Sequence, residues 1–323
     1  MNFRSVADVS TIVDKNLSFL TQREYELIVG IPRSGLLVGS IIALKLNLPI
    51  VTLEQFLNNS KVKTGKTRKT RKYIDRTHGA RKVLLIDDSY NTGKSFKSAL
   101  DELSQLDIPD LVIDKAVIYS SVKIPEFLDF YLEFVPQPRA FEWNLFHSSI
   151  VSKTLFDIDG VVCEDPSEQD NDDGVHYKSF LLNAPPLNIP TQRVLGFVTS
   201  RLEKYRSETE IWLNENKIQY DSLKMSTHKS ARERQQAQDH GVKKGIVYRD
   251  SNAILFIESE YKQALQIVKV SGKCVYCTET NELYQPGCLD LITNKEGLKC
   301  YIKNKLKGIK FVRDIYFNFK RQK

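Results

Sequence analysis

The chain has 323 residues, of which 41% are hydrophobic and 27% are charged, and its formal net charge is +7. This length accommodates two domains with separate cores, and this composition excludes an intrinsically disordered or fibrous protein. The N-terminus has no apolar leader, and no run approaches the ~20 apolar residues that a membrane span needs. We therefore expect a cytoplasmic protein.

The first half of the chain repeats the order strand, turn and helix. The segments that show this order are "YELIVGIPRSGLLVGSIIALKL" (25–46) and "ARKVLLIDDSYNTGKSFKSALDEL" (80–103), and "DLVIDKAVIYSS" (110–121) predicts a further strand. Alternation of this kind predicts an α/β domain with a doubly wound parallel sheet, in which ligands bind at the carboxyl ends of the strands.

A second series of apolar runs begins after Ile150. Its members are "KTLFDIDG" (153–160), "RVLGFVTSR" (193–201), "AILFIESE" (253–260) and "KCVYCTE" (273–279), and the first three end in polar residues. We predict a second doubly wound parallel-sheet domain. The predicted organisation is a first domain over 1–150, a second over 151–287 and a tail over 288–323. The segment "RAFEWNLFHSS" (139–149) between the domains predicts an aromatic packing cluster, with acceptor contacts by Glu142, Trp143 and Asn144 as the alternative.

The tail carries the positive charge of the chain. Residues 295–323 contain ten basic residues against two acidic ones, a net +8, so the remainder is close to neutral. Confinement of the charge to one segment argues against a nucleic-acid-binding surface over the whole protein. Basic and aromatic residues alternate in the tail, which predicts a helix at the inner face of the cytoplasmic membrane or a helix packed on the protein body.

The segment "VLLIDDSYNTGKS" (83–95) places chemistry at a strand end. Carboxylates of Asp87 and Asp88 at the sheet edge can accept hydrogen bonds from vicinal sugar hydroxyls. The following turn opens a helix, and its converging backbone N–H groups bind an anion, most naturally a phosphate monoester. These features together indicate a ribose 5-phosphate ligand. A Walker A nucleotide site is disfavoured because Asp88 stands where that motif requires its first glycine.

The same segment resembles the phosphoribosyl pyrophosphate (PRPP) site of type I phosphoribosyltransferases, and "VGIPRSG" (29–35) resembles the pyrophosphate loop of that family. In the family a mobile segment closes over the reaction, and the basic segment 61–82 stands at that place. The resemblance implies PRPP and Mg²⁺ as ligands. The PRPP-binding residues that it implies are Arg33, Ser34, Gly35, Asp87, Asp88, Asn91, Thr92, Gly93, Lys94 and Ser95.

The second motif, "FDIDGVV" (156–162), pairs two acids. Residues i and i+2 of a strand face the same way, so Asp157 and Asp159 project together. One carboxylate can attack phosphorus, while the other protonates the leaving alkoxide and then activates water. Mg²⁺ offsets the charge of a carboxylate that meets a phosphate.

This motif resembles the first motif of haloacid dehalogenase-like phosphatases, with Asp157 as the nucleophile and Asp159 as the acid and base. The resemblance extends to Thr199, which would bind the phosphoryl group, and to a small cap between Asp159 and Thr199. It implies Glu258 as a third metal ligand beside the two aspartates, with Glu260 as a further candidate. Four lysines could supply the family's essential ammonium group, and we favour Lys244, because "KGIVY" leads into the acidic strand, over the alternatives Lys224, Lys229 and Lys243.

The whole chain resembles bifunctional proteins that install ribofuranose in bacterial surface polysaccharides. That resemblance implies transfer of 5-phosphoribosyl from PRPP to a hydroxyl of a lipid-linked glycan, followed by removal of the 5-phosphate. Two alternatives stay open: a nucleobase phosphoribosyltransferase fused to a nucleotidase, and a PRPP-sensing regulator that carries a phosphatase. No general base for the transfer step is evident in the sequence.

Overall fold

The computed structural model of the protein describes residues 1–65, 70, 73–170 and 173–287. These residues form two compact units, Met1–Trp143 and a second that begins at Asn144, a few residues before the predicted boundary. No helix in the described ranges is long and apolar enough to cross a membrane. The predicted tail helix at 288–323 and part of the basic segment 61–82 lie outside the described residues.

The first unit alternates strands and helices as the sequence predicts. Its strands are β1 (Asn2–Arg4), β2 (Leu27–Gly30), β3 (Ile50–Thr52), β4 (Lys82–Tyr90), β5 (Val112–Ser120), β6 (Phe130–Phe134) and β7 (Arg139–Phe141). Its helices are α1 (Val6–Lys15), α2 (Leu17–Gln22), α3 (Ser34–Leu46), α4 (Leu53–Leu57) and α5 (Lys94–Leu103).

Five of these strands form one sheet in the order β3-β2-β4-β5-β6, and every neighbouring pair is parallel. Side chains alternate between two cores along each strand: Val29 and Leu85 pack on one face, and Ile28 and Leu84 on the other. Helices cover both faces, which confirms the predicted doubly wound parallel sheet for this unit. The short strands β1 and β7 pair in parallel in a separate two-stranded sheet.

The second unit has its own sheet. Its strands are β8 (Thr154–Phe156), β9 (Gly196–Leu202), β10 (Leu223–Ser226), β11 (Leu255–Glu258), β12 (Val275–Cys277) and β13 (Glu282–Tyr284). Its helices are α6 (Val175–Asn183), α7 (Arg206–Glu215), α8 (Ala231–Ala237), α9 (His240–Arg249) and α10 (Tyr261–Ser271). The chain between β8 and β9 contains α6, and the cap expected there stays a prediction.

The sheet of the second unit has the order β10-β9-β8-β11-β12-β13, and it is mixed. The strands from β10 to β12 are parallel, whereas β13 pairs with β12 in the antiparallel direction. The second sheet is therefore parallel from β10 to β12 and departs from the predicted parallel arrangement only at the β13 edge. Only a short turn joins β12 to β13, and a turn of this length returns the chain antiparallel because a parallel pair requires a long crossover.

Gly35 sets how closely α3 approaches the central strand of the first sheet. A Cβ atom at this position would lie 2.5 Å from the carbonyl oxygen of Ile86 and 3.1 Å from the Cα of Asp87. Backbone atoms cannot move aside as a flexible side chain can. The first turn of α3 can therefore lie against the end of β4 only if residue 35 is glycine.

We expect Gly35→Ala to lower the free energy of unfolding of the first unit by about 1–3 kcal/mol, because the added methyl group overpacks against backbone. Urea denaturation of the full chain measures the change. Gly65→Ala is the matched control, since no atom lies within 4 Å of a Cβ at that position. Equal stability of the two variants would contradict the close packing of α3 on β4.

Candidate active sites

Strand β4 delivers two adjacent carboxylates to the edge of the first sheet. Asp87 and Asp88 are both buried, and the backbone N–H of Asp88 donates to Oδ1 of Asp87 at 2.8 Å. Burial, followed by the neighbouring charge of Asp88, raises the pKa of Asp87 to about 8, while a hydrogen bond from Ser34 opposes this shift. The pair is therefore poised to lose a proton when a cation or a hydroxyl donor arrives.

A tryptophan orients the second of these carboxylates. Nε1–H of Trp143 donates to Oδ2 of Asp88 at 2.7 Å. The indole stacks on Phe141 at 4.9 Å between ring centroids, and Phe141 stacks on Tyr119 at 5.4 Å. This stack is the aromatic cluster that the sequence predicts, and it fixes the indole edge against Asp88. The sequence pattern gave no sign of the bond to the carboxylate.

The turn after β4 forms an anion-binding geometry at the start of α5. Gly93 has a φ of 75°, a left-handed conformation that favours glycine, and α5 begins at Lys94. Thr92, Lys94 and Ser95 are exposed there, and the first N–H groups of the helix have no partner within the helix. The carboxamide oxygen of Asn91 instead accepts a hydrogen bond from the Ser121 hydroxyl at 2.7 Å.

The predicted pyrophosphate loop meets the same edge of the sheet. Arg33 is exposed and precedes the first residue of α3. Ser34 hydrogen-bonds to Asp87, and Gly35 lies against the end of β4. The structure thus brings Ser34 and Gly35 together with Asp87, and it places Arg33 on the exposed part of the same loop.

In the second unit, a buried ammonium group joins two carboxylates. Lys244 Nζ lies 2.5 Å from Oδ2 of Asp157 and 2.8 Å from Oε2 of Glu258, and it also contacts Gln263 Oε1 at 3.0 Å. Asp157 follows β8 and Glu258 ends β11, and these strands are neighbours in the sheet. Of the four candidate lysines, Lys244 is the one that this geometry selects.

Burial and the attraction between opposite charges shift the pKa values of this cluster in opposite directions. Burial raises the pKa of Asp157 to about 7, while the ammonium group of Lys244 opposes the rise. Burial would by itself lower the pKa of Lys244, but Asp157 and Glu258 together hold it above its usual value. A positive charge therefore lies beside the oxygen atoms that would attack a phosphoryl group.

Asp159 is held by an arginine that sequence reasoning missed. The Nε of Arg201 lies 3.1 Å from both carboxylate oxygens of Asp159, and its Nη2 lies 2.6 Å from Oδ1. Arg201 is fully buried, and its Nη2 also contacts the sulfur of Cys163 at 3.2 Å. An arginine within the apolar strand "GFVTSRL" was the available signal, because a buried arginine nearly always has an anionic partner.

A pocket of about 410 Å³ opens at Asp157. Four carboxylates line it, those of Asp157, Asp159, Asp165 and Glu260. Burial, and next the charge of Asp159, raises the pKa of Asp165, a residue of the acidic loop that sequence reasoning passed over. Thr199 is buried on the neighbouring strand β9, and its hydroxyl accepts the N–H of Arg201 at 3.2 Å.

The predicted metal ligands Asp157, Asp159 and Glu258 are each engaged by a cation of the protein. Carboxylate oxygens suit Mg²⁺ chemically. Among the described residues, however, no group of three or more His, Cys, Asp or Glu side chains is arranged to hold a metal ion. The metal assignment in the second unit therefore stays a prediction.

Comparison with known proteins identifies the first unit. Residues 7–149 match the family described as phosphoribosyl transferase domain. An orotate phosphoribosyltransferase from Staphylothermus marinus is 26% identical over 110 residues, which are 34% of this chain and 49% of that protein. The chain therefore spans about half the length of this curated relative.

Two solved structures are also similar to the chain. The purine phosphoribosyltransferase from Pyrococcus horikoshii is 16% identical, with a TM-score of 0.31, and the match covers 44% of this chain and 92% of that one. The xanthine-guanine-hypoxanthine phosphoribosyltransferase of Helicobacter pylori is 17% identical, with a TM-score of 0.31, and the match covers 44% and 90%.

The raised pKa of Asp87 predicts a pH-dependent stability. The folded state keeps a proton on this carboxyl up to a pH of about 8, whereas an unfolded chain loses it near pH 4. The free energy of unfolding therefore falls as the pH rises through this window. Asp87→Asn removes the effect, so we expect the variant to gain stability relative to the parent by up to about 1.4 kcal/mol per pH unit. Urea denaturation at several pH values measures how the free energy of unfolding of the parent and of the variant changes with pH. The same pH dependence in both proteins would contradict the raised pKa of Asp87.

The bond between Trp143 and Asp88 predicts a role in PRPP binding. Trp143→Phe keeps an aromatic ring in the stack but removes the N–H donor, so we expect PRPP to bind about tenfold more weakly. Isothermal titration calorimetry measures the affinity. The control is Trp212→Phe, whose indole donates to the carbonyl of Ala184 in the second unit. If Trp143→Phe binds PRPP as the parent does, the indole does not position Asp88 for the ligand.

Proposed function

We propose that this chain, whose residues 7–149 form a phosphoribosyl transferase domain, is a two-step enzyme that builds ribofuranose into a bacterial surface glycan. In the first step, the first unit transfers 5-phosphoribosyl from PRPP to a sugar hydroxyl of a lipid-linked acceptor. In the second step, the second unit hydrolyses the 5-phosphate and leaves β-ribofuranose. A lipid-linked acceptor would bring the protein to the inner face of the cytoplasmic membrane.

The cluster of Asp157, Lys244 and Glu258 carries this proposal. Asp157 attacks phosphorus, and the Lys244 ammonium group offsets negative charge as the phosphoryl group transfers. Asp159, oriented by Arg201, takes up a proton from solvent and gives it to the leaving oxygen, and as a carboxylate it then accepts a proton from the water that releases phosphate. Such a site removes a phosphate monoester, which is the group that transfer from PRPP leaves on its product.

The first unit supports the transfer step. The start of α5 would bind the 5-phosphate, while Asp88 accepts hydrogen bonds from the ribose hydroxyls. The loop at Arg33 and Ser34 would bind the pyrophosphate, and Mg²⁺, which domains of this family use with PRPP, would add positive charge to that leaving group. Direct displacement at the α-anomeric carbon inverts the configuration and gives a β-ribofuranoside.

The pairing of the two activities distinguishes a glycan product from a nucleotide. A nucleotide is trapped in the cell by its phosphate, so a salvage enzyme that removed this phosphate would lose its product. In a glycan the acceptor already retains the ribose, and the phosphate has no such use. A phosphatase on the same chain as the transferase therefore favours the glycan product.

A nucleobase acceptor is the second candidate. The curated relative that is 26% identical over 110 residues is an orotate phosphoribosyltransferase. By analogy, the first unit of this chain would transfer phosphoribosyl to a free base, and the second would convert the nucleotide into a nucleoside. The two candidates share PRPP and differ in the acceptor.

Mass spectrometry of the products tests the proposal. A lipid-linked glycan pool is incubated with PRPP and Mg²⁺, together with the parent protein or Asp157→Asn. We expect the parent to add a pentose and the variant to add a phosphopentose, because the amide cannot act as the nucleophile. Asp250→Asn is the matched control: it makes the same change at an exposed carboxylate paired with Arg249, and should give the parent's product.

Other outcomes separate the candidates. Pyrophosphate release with orotate or a purine base, and no addition to the glycan pool, would replace the proposal with the nucleobase transferase. A phosphate-free pentose product from Asp157→Asn would show that another group removes the phosphate.

A further inference from the structure

A second cavity adjoins the carboxylate pocket of the second unit. It has a volume of about 260 Å³ and lies at the carboxyl ends of β9 and β10, beside α9. Val198, Met225 and Val247 give it apolar walls, and Ser226 and Thr227 contribute hydroxyl groups. None of these five residues lines the pocket that holds the four carboxylates.

The two cavities meet at a shared wall. Ser200, His240 and Lys244 line both, and Nδ1 of His240 lies 2.9 Å from the Ser200 hydroxyl. Lys244 also contacts Asp157, the proposed nucleophile. A phosphate monoester bound at Asp157 would therefore extend its organic part past this wall into the second cavity.

The charges around the second cavity favour a neutral occupant. Lys244 is compensated by two carboxylates, as described above. Lys243 Nζ lies 2.9 Å from the carboxylate of Asp239 and 2.7 Å from a ring nitrogen of His228. Lys224 is exposed at the rim. Among the lining lysines, the two on α9 thus already have partners, so the walls are not built to collect a second phosphate.

The size and chemistry of the cavity suit one sugar ring. Its 260 Å³ is below the roughly 300–1,000 Å³ of pockets for drug-sized ligands. A furanose ring presents apolar C–H faces and several hydroxyl groups. Apolar walls can pack on those faces, while serine and threonine hydroxyls can donate or accept hydrogen bonds.

We infer that this cavity binds the furanose ring whose 5-phosphate is removed at Asp157, with Ser226 and Thr227 as its hydroxyl-binding residues. The inference rests on the proposed phosphatase function of the second unit and adds the place at which the sugar ring of its substrate binds. A cavity of about 260 Å³ has room for the ring alone, so the aglycone of a ribofuranoside would extend beyond it.

Kinetics with two probes test the inference. The first probe is methyl β-ribofuranoside 5-phosphate, which has the ring, and the second is acetyl phosphate, which has none. Ser226→Phe fills the cavity with an aromatic side chain. We expect it to raise KM for the riboside by about tenfold or more, because the phenyl ring would occupy the space of the sugar ring. Hydrolysis of acetyl phosphate should stay within about twofold of the parent rate.

One further variant serves as a control, and another replaces Ser226→Phe if that variant does not fold. Val242→Phe adds the same aromatic ring on α9, at an exposed residue that does not line the cavity, and should leave both probes unaffected. Ser226→Ala, which removes only a hydroxyl, replaces Ser226→Phe if circular dichroism shows that the larger variant is unfolded. We expect it to raise KM for the riboside by about threefold to tenfold with kcat nearly unchanged.

The outcomes separate this inference from the proposed function. If the parent hydrolyses neither probe faster than Asp157→Asn does, the phosphatase function is wrong, and the inference falls with it. If the parent hydrolyses both probes but the cavity variants do not change KM for the riboside, the phosphatase stands and the ring binds elsewhere. The affinity of Asp157→Asn for ribose 1,5-bisphosphate is compared with its affinity for methyl β-ribofuranoside 5-phosphate. If the bisphosphate binds more than about tenfold more tightly, the cavity is an anion site and the assignment to a neutral ring is wrong.

Discussion

The second unit depends on one buried interaction, the contact of the Lys244 ammonium group with Asp157 and Glu258. Each of these charges would be costly to bury alone, and together they leave two carboxylates and one cation in a water-poor site. Burial, and after it the charges of Glu258 and Asp159, raise the pKa of Asp157, while the ammonium group of Lys244 opposes this rise. Lys244 therefore both joins the two carboxylates at this edge and limits the rise in the pKa of Asp157.

Two glycines allow Lys244 to reach that position. A Cβ at Gly241 would lie 2.8 Å from Cβ of Gln266, and one at Gly245 would lie 2.7 Å from Cβ of Val270. The backbone of helix α9 therefore lies close to α10 at these two glycines. This close approach places Lys244 at the sheet edge. Larger residues at these positions would separate the helices and withdraw the ammonium group from the carboxylates.

Local patterns predicted the strand ends, because an apolar run followed by acids is written in consecutive residues such as those around Asp87 and Asp157. Lys244 was predicted from its place before an acidic strand, and the structure brings it to both carboxylates. The bonds of Arg201 and Trp143 join residues 42 and 55 positions apart, which no local pattern reports. The final strand β13 was missed because three residues are too short a run to show a strand period.

Both units bury acidic side chains near the carboxyl end of a parallel strand, but the groups that contact these acids differ between the units. In the second unit the cations are supplied by the chain itself, since Lys244 and Arg201 contact Asp157 and Asp159 directly. In the first unit the described residue that binds Asp88 is the neutral indole of Trp143, and Asp87 keeps a raised pKa. Asp88 also lies within the electrostatic reach of the Arg139 guanidinium, yet Asp87 keeps its raised pKa and therefore a demand for positive charge, which a ligand that arrives with a divalent cation would satisfy. The first site would therefore take positive charge from a ligand, whereas the carboxylates of the second unit already contact cations of the chain.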